Sequence, residues 1–294
     1  MNKEKLSGAL WGSLCADAYA LGAHWVYDVK EIENASLDLE AFNNPMTTYH
    51  ANKRAGDFTH YGDQTLWLLE SISNEKKFDA DKFSKLWKEN MKQYDGYVDG
   101  ASKATLEGLE NGLAVNVCGS SSRDLSAAGR VAPLIYFYAD DKDALFEAIK
   151  LQTNFTHRNE SVEESALFFA ELTLAMVEGV DLNSAITTIS TRYSTTLQKW
   201  VEHAKQSVLL PTAIAIADFG QSCSVNVGFL GVIHLLLKYQ NNYVQALKEN
   251  VLSGGDSAAR GMIVGMVLGA KNENQIPKTF KNGLTNFDKI NSLC

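Results

Sequence analysis

Apolar residues recur every three to four positions along most of this chain, and only four prolines interrupt 294 residues. That period is the signature of amphipathic or buried helices, whereas a half-buried strand alternates every second residue. Four stretches carry it plainly: DKFSKLWKENMKQY, KDALFEAIKLQTNF, ESALFFAELTLAMVEGV and NVGFLGVIHLLLKYQNNYVQAL. Strand-like alternation is nearly absent. Many periodic stretches joined by short Asn, Ser and Gly clusters predict an all-α globule of ten or more helices, spanning residues 1–294 as one domain. Two less periodic stretches, about Asn34–His60 and Asn116–Ala128, are long for a compact domain, and connections of that length are often functional.

Composition narrows the function. With 45% hydrophobic residues the chain can bury a large core, and a formal charge of −8 disfavours a face for phosphate backbones, so nucleic acid is not an expected partner. The opening MNKEKLSGALWGSLCADAYALG carries Glu4 and Asp17 and lacks a clear cleavage site; it reads as a core helix rather than a signal peptide. The longest apolar candidate, VNVGFLGVIHLLLKY, contains His234 and stops short of the roughly 18 residues of a membrane span. Cys15, Cys118, Cys223 and Cys294 lie far apart with no CxxC spacing, which signals neither zinc nor a disulfide framework and points to the reducing cytoplasm. Cys223 stands between two serines before an apolar helix, but without an adjacent histidine it is not expected to be a nucleophile.

Two acidic turns stand out. In GDFTHYGDQTLWLLES, Asp63 precedes an apolar helix, and GGDSAARGMIVGMVLGA repeats the arrangement with Asp256. Each aspartate suits an N-cap, and the pair also suits convergence on one hard cation such as Mg²⁺, which takes carboxylate and hydroxyl oxygens. Gly261, Gly265 and Gly269, four residues apart, permit close helix contact.

Taken in order, these pieces resemble the ADP-ribosylglycohydrolase family. GALWGSLCADAYALG resembles its opening helix, YGDQT its Thr-Asp-Asp-Thr metal turn, and GRVAPLIYFYAD its Met-Arg-x-x-Pro segment. THRNESVEESA resembles its Thr-His segment and GGDSAARGMIVGMVLGA its Gly-Gly-Asp-Thr-Asp-Thr signature; the variants LGAHWVYD, THYGDQ and GGDSAAR look most like the branch with the J crystallins and selenoprotein J. The resemblance implies an all-α fold with an ADP-ribose cleft and, in active members, two Mg²⁺ ions between the acidic turns, with water attacking the anomeric carbon. It also implies a small-molecule ligand or an ADP-ribosylated substrate.

The chain departs from the pattern at the chemistry. Gly62, Asp63 and Gln64 stand for Thr-Asp-Asp, and Asp256, Ser257, Ala258 and Ala259 for Asp-Thr-Asp-Thr. One Mg²⁺ ion or none is therefore expected, held by Asp63, Asp256 and Ser257, in a hydrolase with a depleted ligand set; the alternative is an inactive, crystallin-like member. Asp63 and Gln64 would position water, and His157 would assist as base, unless it is a buried structural histidine. For substrate binding the resemblance implicates Ser126 and Arg130, with Arg123, in a loop around a diphosphate, and His60, which also suits a softer metal. Asp17, buried among small residues, must be paired; it is assigned to the binding shell. His24, Trp25 and Tyr27 are either core or a stacking surface for adenine.

Overall fold

A computed structural model describes residues 1–294. No strand forms, and seventeen α-helices follow one another: α1 (Lys3–Ala20), α2 (Val29–Asn34), α3 (His60–Ser73), α4 (Ala80–Gln93), α5 (Gly100–Glu110), α6 (Ser126–Gly129), α7 (Ala132–Tyr138), α8 (Lys142–Thr156) and α9 (Glu160–Glu178). Then come α10 (Leu182–Ser190), α11 (Thr195–Gln206), α12 (Thr212–Phe219), α13 (Val225–Lys238), α14 (Tyr243–Leu252), α15 (Ser257–Lys271), α16 (Lys278–Gly283) and α17 (Phe287–Leu293). The expected all-α class holds. No helix is long and apolar enough to cross a membrane.

Helices α1 and α15, from opposite ends of the chain, form the central pair. Their backbones nearly touch. A methyl group on Gly12 would sit 2.2 Å from the Gly265 carbonyl oxygen, and one on Gly269 would sit 2.1 Å from that of Gly8. Glycine is therefore required on both helices, and each is buried on nearly all sides, as their all-round apolar sequences demand. Helices α9, α13 and α14 pack around this pair and enclose one continuous core.

The packing places two helix starts side by side. Helix α3 begins at Thr59, whose hydroxyl accepts from the Tyr61 amide at 3.1 Å, and α15 begins at Asp256, which accepts from the Ala259 amide at 3.1 Å. Ahead of Asp256, Gly254 and Gly255 hold φ of 69° and 71°, values that side chains disfavour. A Cβ on Gly255 would lie 2.1 Å from the Gln221 carbonyl oxygen, so this turn admits only glycine. Both aperiodic stretches run to the same place: Thr48–His50 forms a short 3-10 turn beside α3, and Asp124 lies against Cys223 and Ser224, fixed by the Leu125 amide on the Cys223 carbonyl.

Candidate functional site

The centre of the site is Tyr61, whose hydroxyl lies 3.2 Å from Asp124 and 3.1 Å from Asp256. A phenol has one proton and cannot donate to two carboxylates, so a proton on one carboxyl completes the arrangement. Burial, reinforced by the neighbouring Asp256, pushes Asp124 up to about 7, and burial also raises Asp256. Both carboxyls are therefore protonated more readily than an ordinary aspartate. Cys223 joins them, with one potential ligand atom from each of the three within 4.8 Å of the others, and Asp124 and Cys223 are the partly exposed members through which the centre opens. Burial, with Asp124 and Asp256 beside it, raises the Cys223 thiol.

Asp63 does not join Asp256. It lies in the first turn of α3, where Lys53 Nζ donates to it at 2.6 Å and Tyr94 Oη at 2.5 Å. It is neither an N-cap, a role Thr59 fills, nor a carboxylate free for a cation, because an ammonium already occupies that place. Gln64 is equally committed: its oxygen accepts from Trp87 Nε1 at 3.0 Å and Arg130 at 2.6 Å, and its amide donates to Ser102 at 3.3 Å. The expectation that Asp63 and Gln64 position a water is corrected on these grounds. Ala258 and Ala259 add no oxygen, and Ser257 Oγ, although buried and unpartnered, is a lone hydroxyl. The residues present do not fit two Mg²⁺ ions, nor one ion shared by Asp63 and Asp256.

The remaining expected residues fall into two groups. Asp17 spends its carboxylate on Thr59, accepting from the amide at 2.8 Å and the hydroxyl at 2.6 Å, and so buttresses the start of α3 rather than meeting a substrate. Burial lifts it to about 7. Gly62 makes room, since a Cβ there would lie 2.2 Å from the Asp17 carboxylate. The substitution of Gly62 into the metal turn thus has a packing reason. Arg130 is buried and bound to Gln64 and Thr156, so it does not reach for a diphosphate. Arg123 is exposed, and Ser126 is buried with its amide on Asp124 at 2.8 Å. His157 ends α8 with Nδ1 2.8 Å from the Thr156 hydroxyl; burial drives it down to about 3, and its Nε2 has no partner.

His60 belongs to a cluster that the sequence reading only half saw. It packs with His24 and His50, all three buried, and Trp25, Tyr49 and Tyr97 close around them. His24 and Trp25 stack at 4.5 Å, so the aromatic group faces the imidazoles. Asp99 Oδ2 lies 3.8 Å from His60 Nε2. Although burial opposes its ionisation, His60 and the Ser102 bonds outweigh that effect and lower Asp99. His50, Asp99 and Asp124 carry no motif of their own; for His50 and Asp124 their position in the two aperiodic stretches was the available signal, and Asp99 had none.

Fold and site together define an all-α protein with a buried carboxyl pair where two helix starts meet. The sequence profile of the ADP-ribosylglycohydrolase family matches residues 2–294, and the chain belongs to that family. Crystallin J1A of Tripedalia cystophora is 23% identical over 289 residues, covering 93% of this chain and 89% of its own length. Crystallin J1B of the same jellyfish is 22% identical over the same span. A solved ADP-ribosylglycohydrolase-related protein complex superimposes with a TM-score of 0.73 at 16% identity, covering 99% of this chain and 95% of that one.

Proposed function

We propose that this protein binds ADP-ribose or a related nucleotide where Tyr61, Asp124 and Asp256 meet, and hydrolyses an ADP-ribosyl glycosidic bond slowly without a two-Mg²⁺ centre. The observation that carries this reading is the Tyr61 hydroxyl within hydrogen-bond reach of two carboxyls, Asp256 buried and Asp124 partly so. In such a pair the protonated carboxyl gives its proton to the leaving group while the ionised one takes a proton from water, an effect worth about 10²–10⁴ in rate. Ser257 Oγ and His157 Nε2, buried and unpartnered, are the polar groups a ribose would satisfy. Four free cysteines suit reducing cytoplasm.

The test is hydrolysis of an ADP-ribosylated substrate in millimolar Mg²⁺ and in EDTA. Equal low rates in both, abolished by Asp256→Asn, are expected; asparagine still caps α15, so the fold survives. A rate that rises manyfold with Mg²⁺ overturns the proposal. A second reading, a non-catalytic crystallin-like protein, is favoured by the names of the two jellyfish relatives. A thermal shift separates the two, because ADP-ribose at about one hundred times its dissociation constant stabilises a binding protein by roughly 2.7 kcal/mol and a non-binding one not at all.

A further inference from the structure

The three buried histidines adjoin the carboxyl pair at Asp256 and have chemistry of their own. His24 follows α1, His50 ends the 3-10 turn at Thr48–His50 and His60 opens α3, so three separate segments deliver them to one point. One nitrogen of each lies within 4.8 Å of the others. The ring centroids are 5.4 Å apart for His24 and His50, 5.4 Å for His50 and His60, and 6.2 Å for His24 and His60. Three imidazoles on a tetrahedral ion with bonds of about 2.0–2.1 Å have centroids roughly 5 Å apart. The cluster is within an ångström or so of that arrangement.

Hydrogen bonding accounts for only part of it. His50 Nε2 and His60 Nδ1 face each other at 3.2 Å, while His24 Nε2, the third inward atom, is buried with no bonded partner. Buried polar atoms without partners are rare enough that each calls for an explanation. Two carboxylates stand behind the rings: Asp256 Oδ1 is 3.7 Å from His24 Nδ1 and Asp99 Oδ2 is 3.8 Å from His60 Nε2. Carboxylates in those places are what orient metal-bound imidazoles. With these outer atoms assigned, His24 Nε2, His50 Nε2 and His60 Nδ1 remain to face inward. The Ala258 amide donates to His24 Nδ1 at 3.3 Å, so a metal on Nε2 requires that contact to give way to an Nδ1–H bond with Asp256.

We propose that His24, His50 and His60 bind one divalent transition-metal ion, of the Zn²⁺ type, with Asp256 and Asp99 as positioning residues. Neutral nitrogen ligands select such an ion over Mg²⁺, which prefers oxygen. A cavity of about 350 Å³ lies beside His50, lined also by Tyr49, Tyr97, Asp95, Lys53 and Lys103.

The experiment uses the full chain stripped with EDTA and titrated with Co²⁺ and Zn²⁺, with no nucleotide present, so it stands apart from any hydrolase result. Co²⁺ should bind one per chain with the visible absorption of a tetrahedral ion and no thiolate charge-transfer band, and Zn²⁺ should displace it. His50→Gln should weaken Zn²⁺ binding at least 100-fold, and Asp99→Asn by about 10-fold, the usual effect of losing a carboxylate behind a ligand. If His50→Gln does not fold, the wild-type Co²⁺ spectrum still decides. Absence of saturable binding overturns the proposal, and so does a thiolate band, which would assign the ion to Cys223 with Asp124 and Asp256.

Discussion

Asp63 and Lys53 show how one neighbour redefines a residue. In the sequence Asp63 is a surviving acidic ligand, but in the fold its charge is met by Lys53 at 2.6 Å, with both side chains largely buried. Removing one member of such a pair leaves a charge in a poor solvent, at a cost of about 3–5 kcal/mol. Lys53→Met should therefore destabilise the protein by roughly that amount, and the double variant with Asp63→Asn should recover most of it, as measured by urea unfolding. The loss should be larger at pH 8 than at pH 5, because burial already raises Asp63 and the orphaned carboxyl takes up a proton in acid.

At the scale of elements, the contact between α1 and α15 is the most exacting. Gly12→Ala or Gly265→Ala would drive a methyl group to 2.2 Å from the facing carbonyl oxygen, and neither backbone can yield without moving a central helix. A loss of about 3 kcal/mol or more is expected. Gly100→Ala is the control: nothing lies within 4 Å of its Cβ, so stability should be unchanged or slightly raised. Thermal unfolding of the three variants checks both statements. The glycine triplet on α15 was readable as a close-packing face, but its partner was not; Gly8 and Gly12 repeat the same spacing on α1, and only their pairing across the chain gives either stripe its meaning.

For the whole molecule, buried histidines set the response to acid. Burial lowers His50 and His234 to about 4 and His60 and His157 to about 3, and holds His24 well below the usual histidine range. A histidine lowered in the fold contributes stability that is complete above the unfolded value of about 6.5 and is lost as pH falls toward the folded one. Asp17 and Asp124, raised to about 7, work in the opposite sense and favour the folded state as they protonate. The raised Asp63 and Asp256 act in the same direction as these two. The histidine contribution to the unfolding free energy should therefore fall between pH 6.5 and 4.5; urea titrations in EDTA at half-unit steps, on the wild type and the His60→Gln variant, measure it. His60→Gln should make that slope shallower.

Helices, their caps and the family were legible because they depend on near neighbours. A three-to-four period makes a helix wherever it occurs, Thr59 and Asp256 cap through amides two or three residues away, and the order of five short segments survives substitutions inside them. What the site does was not legible. Asp63 and Gln64 keep their places in the motif yet are spent on Lys53, Trp87 and Arg130, while Asp124, which no motif marks, meets Tyr61 of that same turn at the centre of the site. His24, His50 and His60 meet only because three segments converge, and no spacing along the chain encodes that. Local sequence determined which backbone forms and where it starts; the tertiary packing decided which charged and polar groups lose water together, and that shared desolvation is what sets their partners and their chemistry.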